Sequence, residues 1–240
     1  TPPVSPTNFS AIARSWEGSG SVDTIQAKNS IVFAQRDIRR LFELRFDGSL
    51  RAYMSEELSW HARNIFAGGI VEMAYQNSPN GIIWIVRTDG KLVAYTYDRS
   101  RGVFAPTLCN INGTVESVAV IPAADGSADE LWIVVNRTIG AATKRYVEYL
   151  SPGRNTDSSI LYSGGSTTTI TGLSHLEGLL VKVKGDGAEA ASKTVASGSI
   201  TLDSAVTAAE VGIGYTFRLH TLSPDLVMSD GSGLGRRQRA

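Results

Sequence analysis

Cysteine is nearly absent from the sequence. Cys109 is the only cysteine among 240 residues, so no internal disulfide can form. A chain without disulfides is typical of proteins that fold in a reducing cytoplasm. Because no obvious partner residue stands beside it, we interpret Cys109 as structural or incidental, in preference to a nucleophile.

An excess of charge and long apolar runs are also missing. The chain has 23 basic and 23 acidic side chains. It therefore lacks the basic patch that strong phosphate binding favours, and the polybasic cluster of a membrane-surface protein. No apolar run approaches the roughly 20 residues that span a bilayer. Residues 1–10 are rich in Pro and Ser and have neither the basic nor the apolar region of a signal peptide.

Patterns typical of catalysis or metal binding are missing as well. His61, His175 and His220 are far apart and show no paired ligand spacing. The adjacent acids at 56–57 would point to opposite faces of a strand, so they do not form an acid/base pair. The glycine-rich run at 231–235 neither follows a strong strand nor opens a helix. We expect a protein that is not an enzyme and that has no cofactor and no metal.

The sequence does contain a repeated pattern of strand-like segments and turns, present in two copies. Residues 71–98 form the first copy and residues 115–150 the second. Each copy has three strand-like segments joined by turns, with a tryptophan in the central one, Trp84 or Trp132. The two tryptophans are about 48 residues apart, which is within the range of propeller blade repeats.

An earlier hairpin extends the repeat. Residues 31–35 and 41–46 are predicted strands because of their β-branched and aromatic content. Phe33 precedes Trp84 by about 50 residues, so we assign Phe33, Trp84 and Trp132 to equivalent repeat positions. Aromatic residues at such positions are typical of packing between blades, and a platform for a sugar or a base is the alternative.

The composition changes after residue 150, and the fold class predicted is all-β. Partial β-propeller-like blades are followed by a small β-barrel or sandwich module. Within residues 55–65 an N-cap pattern and helical spacing lead us to expect a short helix or an irregular loop. The predicted segments are an extended N-terminus (1–28), blade repeats (29–150), a linker (151–163), the barrel or sandwich (164–222) and a flexible basic tail (223–240).

The repeat occurs about two and a half times, whereas closed propellers have about four to eight blades. Because blades bury their faces by stacking, we expect either a fragment of a longer polypeptide or packing on another subunit. The first residue is not Met and the chain stops in a basic run, which favours a fragment. The basic residues there are Arg236, Arg237 and Arg239, either a solvated tail or a contact with nucleic acid or an acidic subunit.

Several stretches of the chain, taken in order, resemble one protein family. They are residues 30–36, 69–76, 83–90, 92–98, 129–137, 175–178, 211–215 and 235–237. Together they resemble the tail nozzle protein of short-tailed bacteriophages, also called tail tubular protein B, as a fragment or a prophage-encoded member. The resemblance covers nearly the whole chain, and it depends on the order and spacing of the stretches more than on any single one.

The resemblance implies a structural protein of the virion tail, made in the bacterial host cytoplasm. Members of this family assemble as a homo-oligomeric ring, typically a hexamer, that attaches to a tail adaptor ring. The ring encloses the channel through which double-stranded DNA is ejected. A near-neutral chain suits such a conduit, because many phosphate contacts would hold the DNA in place.

Two other functions stay open at this point. A carbohydrate- or receptor-binding β module of a virion or cell surface would use exposed aromatic residues at loop tips to bind host glycan. A propeller hydrolase fragment would need converging carboxylates or a metal.

Overall fold

The computed structural model describes residues 15–140 and 142–216, the single positions 5 and 13, and the backbone of 227–228 and 231–232. Within these ranges almost all regular structure is antiparallel β-sheet. The all-β class predicted from the sequence is confirmed.

Three successive sheets are meanders, in which each strand pairs with its neighbour in the chain. The first sheet contains β1 (Ile25–Ala27), β2 (Ser30–Ala34), β3 (Leu41–Asp47) and β4 (Ala52–Glu57). The second contains β5 (Ile70–Gln76), β6 (Ile82–Arg87), β7 (Leu92–Asp98) and β8 (Val103–Cys109). The third contains β9 (Thr114–Pro122), β10 (Asp129–Ile139) and β11 (Ala142–Tyr149).

A fourth sheet follows with a different topology. Its strands are β12 (Asp157–Thr171), β13 (Leu180–Gly185), β14 (Ala188–Thr194) and β15 (Ser199–Ile213), in the spatial order β12-β15-β13-β14. This sheet has an apolar core of its own. Two short strands, β16 (Val227–Met228) and β17 (Gly231–Ser232), form a separate hairpin.

The second sheet lies between the first and the third. Successive side chains of a strand point to opposite faces, and in β6 both faces are buried. Ile83 and Ile85 belong to the apolar core shared with the first sheet. Trp84 and Val86 belong to the core shared with the third sheet. The first three sheets therefore form a stack in chain order.

The short helix or irregular loop predicted within residues 55–65 is wrong at its start, which is a strand, whereas residues 60–66 are helical. Ser55 to Glu57 belong to β4, which pairs with β3. The helical residues that follow are a 3-10 turn, Trp60–Ala62, and the short helix α1, Arg63–Phe66. Pairing with β3 gives this segment a full ladder of backbone hydrogen bonds, which outweighs its local preference for a helical start.

Strand boundaries also differ from the sequence prediction. β12 begins at Asp157, inside the segment predicted as a linker, because it pairs along β15. β15 runs without a break from Ser199 to Ile213. β8 was not predicted. It contains Pro106 and lies at a sheet edge, where a missing backbone N–H breaks no ladder.

Replacing Ile85 by alanine tests the burial of the second sheet. Ile85 is fully buried between the first and second sheets. The lost apolar contacts and the resulting cavity are expected to lower the free energy of unfolding by about 2–5 kcal/mol. Urea denaturation followed by circular dichroism measures this change. The control is Val147→Ala on the third sheet, 69% exposed, with an expected change within about 0.5 kcal/mol. Equal losses for both variants would contradict the stacked arrangement.

Candidate functional site

The stack ends in two apolar faces that lie outside the cores between sheets. On the third sheet, the side chains of β10 alternate between the core shared with the second sheet and the opposite face. On this opposite face the rings of Trp132 and Tyr149 stack, with centroids 5.2 Å apart, and Val147 is largely exposed. We call it the outer face of the third sheet. Its apolar part comprises Ile121, Trp132, Val134, Val147 and Tyr149, and the same face also carries polar residues, among them Glu130, Ser117, Asn136 and Arg145.

The outer face of the first sheet is also apolar. Phe33 and Phe42 stack with ring centroids 5.8 Å apart, and both are buried. Ile31 and Phe46 on the same face are 47% and 55% exposed. The strand register places the apolar residues Ile31, Phe33, Phe42, Leu44 and Phe46 on this outer face, together with Tyr53, Ser55 and Glu57 of β4.

Phe33, Trp84 and Trp132 all lie on the second strand of their sheets, but they do not share one orientation. Trp84 packs in the core with the third sheet, and Trp132 likewise faces away from the preceding sheet. In the first sheet, the residues that face the next sheet are Val32 and Ala34. Counted back from the last strand pair before each turn (Ala34–Leu41 and Val86–Leu92), the position of Trp84 corresponds to Val32 and not to Phe33. Phe33 therefore faces the outside of the stack.

A polar network crosses from the second sheet to the third. The indole Nε1 of Trp84 donates to Oε1 of Gln76 over 2.9 Å. The amide nitrogen of Gln76 donates to the backbone oxygen of Asp129 over 2.8 Å. The Asp129 carboxylate accepts the backbone N–H groups of Asn77 and Ser78 at 2.9 and 2.8 Å. Trp84 is thus held by a chain of bonds as well as by packing.

A buried carboxylate links the first sheet to the second. Glu43 on β3 is fully buried, and the Tyr97 hydroxyl donates to its Oε2 over 2.8 Å. The Arg99 guanidinium forms an ion pair with the same carboxylate, and Arg45 lies 3.4 Å from it. Burial raises the pKa of Tyr97, which keeps its hydroxyl protonated as a donor. The charge of Glu43 is compensated inside the stack.

The junction of the third and fourth sheets is built around Arg137. This side chain is only 1% exposed, because it points from β10 toward the buried side of the sheet. It makes bidentate hydrogen bonds to Glu148 at 2.6 and 2.8 Å and to Asp157 at 2.8 and 2.9 Å. It also donates to the backbone oxygen of Asn112.

The protonation of Arg137 is secured by these two carboxylates. Burial alone would lower the pKa of Arg137, but the hydrogen bonds to Glu148 and Asp157 outweigh it and raise the pKa above its ordinary value. Asp157 begins β12, so this cluster fixes the start of the fourth sheet against the third. Sequence analysis missed it, although one signal was available. Arg137 continues the alternation of Leu131, Ile133 and Val135 on the buried face.

The other residues considered from the sequence lie apart. His61 and His175 occupy separate 3-10 turns, and His220 lies outside the described residues. Burial raises the pKa of the Cys109 thiol, which disfavours the nucleophilic thiolate. Among the residues that the structure describes, no three His, Cys, Asp or Glu side chains are grouped to hold a metal ion. The basic cluster predicted at the end of the chain also lies outside the described residues: Arg236, Arg237 and Arg239.

The helical segments in the described ranges lack the length and apolar character that crossing a bilayer requires.

Comparison with known proteins adds no family assignment. No family model matches the chain, and no curated protein matches it significantly. The resemblance to tail nozzle proteins therefore stays a prediction from the sequence.

Replacing Arg137 by methionine tests the junction. The change leaves Glu148 and Asp157 without their buried cation, so we expect a loss of about 3–5 kcal/mol in the free energy of unfolding. Chemical denaturation of single and double variants with Asp157→Asn measures the coupling, and the double variant should lose less than the sum of the singles. The control is Arg145→Met, whose ion pair with Glu116 is at the surface and should contribute about 1 kcal/mol or less. Additive losses would contradict the cluster.

Proposed function

We propose that this chain is a structural component of a phage tail, forming part of a ring-shaped nozzle through which DNA is ejected. The observation that carries the proposal is the stack of three meander sheets with an exposed apolar face at each end. Such a stack is a scaffold whose surfaces call for neighbours, and its polar clusters are occupied by structural contacts.

The three sheets are proposed to be blades of a β-propeller. A blade buries its faces by packing on the blades before and after it. The second sheet satisfies this requirement, whereas the outer faces of the first and third sheets retain exposed apolar side chains. Large exposed apolar patches mark interaction surfaces. We propose that further blades of a longer polypeptide, or neighbouring subunits, cover them.

The fourth sheet is proposed to be a small barrel or sandwich module attached to this scaffold. It has its own core, and the Arg137 cluster holds its first strand. A fixed attachment supports a structural role, because a wall around a channel has to keep its modules in a constant relative position.

The electrostatics of the chain support a conduit. Basic and acidic side chains balance, and many described arginines are neutralised by carboxylates, as Arg99, Arg137 and Arg145 are. A chain with balanced charge offers duplex DNA fewer favourable phosphate contacts than a basic groove would, and each phosphate contact that is absent lowers the affinity. In the proposed assembly, a homo-oligomeric ring attaches to a tail adaptor ring and lets double-stranded DNA pass.

The test uses the product of the complete reading frame that contains this sequence. Sedimentation velocity and negative-stain imaging, alone and with the tail adaptor ring encoded beside it, should show a ring with a central channel. An adaptor ring from an unrelated tail type is the control and should not be bound. A monomer under every condition, including with its own adaptor, would overturn the proposal.

A further inference from the structure

A surface cleft lies beside the turn between β2 and β3, away from the cores between the sheets. Its volume is about 530 Å³, and it is wide open to solvent. The residues that line it are Trp16, Glu17, Gln35, Arg36, Asp37 and Arg40.

The backbone around the cleft is held by a compact set of hydrogen bonds. The N–H of Gln35 donates to the oxygen of Arg40 over 2.9 Å, and the N–H of Ile38 donates to the oxygen of Gln35 over 2.7 Å. The N–H of Gly20 donates to the oxygen of Ala34 over 2.9 Å, which fixes the preceding segment against the end of β2. The side chains that line the cleft are thus carried by a fixed turn.

Trp16 provides an aromatic surface with almost no cover. Its side chain is 94% exposed, the highest exposure among the described large apolar residues. Gly18 has a φ of +68°, and a Cβ there would lie 3.3 Å from Nη2 of Arg36. Glycine at this position therefore lets the Arg36 guanidinium lie close to the backbone near Trp16.

The turn carries three arginines, and in the cleft lining the two acids Glu17 and Asp37 balance Arg36 and Arg40 in formal charge. Arg36, Arg39 and Arg40 fall within five residues, and none of their guanidinium groups forms an ion pair within the described part of the chain. The two acids of the cleft are engaged locally. Glu17 accepts the Ser15 hydroxyl, which lowers the pKa of Glu17. Asp37 accepts the backbone N–H of Arg39 over 3.1 Å.

We propose that this cleft binds a nucleotide unit. The base stacks on Trp16, as bases do on exposed aromatic side chains in proteins that bind single strands. Arg36 and Arg40 pair with the phosphate, for which guanidinium geometry is well suited. The ligand is either a free nucleotide or one unit of a single-stranded chain, because duplex DNA keeps its base faces stacked.

The test measures binding by the complete chain. Fluorescence anisotropy with a labelled ten-nucleotide DNA single strand should show binding that weakens as salt rises from about 50 to 200 mM. Trp16→Ala should lower the affinity about tenfold or more. Arg36→Gln and Arg40→Gln should each weaken binding and reduce the salt slope by about one. Trp16 is so exposed that its removal should leave the circular dichroism spectrum unchanged.

Two variants serve as matched controls. Trp60→Ala removes another exposed tryptophan, whose ring already carries the Arg63 guanidinium at 4.3 Å. Arg101→Gln removes an exposed arginine elsewhere, beside Asp98. Both should bind the single strand as the unaltered chain does.

Competition with AMP distinguishes the sources of the ligand. If AMP displaces the single strand at a concentration near that of the strand's own nucleotide units, the ligand is a free nucleotide. If displacement needs a large excess, the ligand is a chain. Three results would overturn the proposal: no binding of either, equal binding of single-stranded and duplex DNA that Trp16→Ala leaves unchanged, or preferred binding of a uronic-acid oligosaccharide.

Discussion

The structure depends on one constraint, which is that the second sheet is apolar on both faces. β6 is a continuous apolar run and not an alternating one, as expected of a strand buried on both sides. Only a sheet on either side can remove both of its faces from water. The first and third sheets each pack one face against the second sheet. Their other faces lie outside these two cores and carry exposed apolar side chains. The stack and its two exposed ends thus follow from the same residues.

Buried charges determine how the layers meet. Glu43 lies between the first two sheets, where it accepts a hydrogen bond from the Tyr97 hydroxyl and forms an ion pair with Arg99. Asp157 lies at the start of the fourth sheet and accepts hydrogen bonds from the Arg137 guanidinium. An unpaired carboxylate in such a place would be costly, so each one is stable only where its partner is correctly placed. The apolar cores supply the cohesion of the stack, and these pairs restrict its geometry.

These features are consistent with the proposed scaffold. The charged groups of the stack are paired with their own neighbours, whereas its exposed apolar side chains call for a covering surface. The cleft beside Trp16 is different, because its arginines form no ion pair within the described residues. A conduit whose walls are neutral and a local site with free cations are compatible, since they occupy different parts of the chain.

The sequence by itself determined the all-β class, most of the hairpins and the equivalent strand positions of Trp84 and Trp132. These follow from side-chain alternation and turn residues, which are local properties. Only the tertiary structure decided that Phe33 faces outward, because a shift of one residue moves a strand side chain to the opposite face. It also decided that β4 is a strand and that Arg137 is paired with Asp157. Pairing partners and burial are contacts between segments distant in sequence, and no local pattern specifies them.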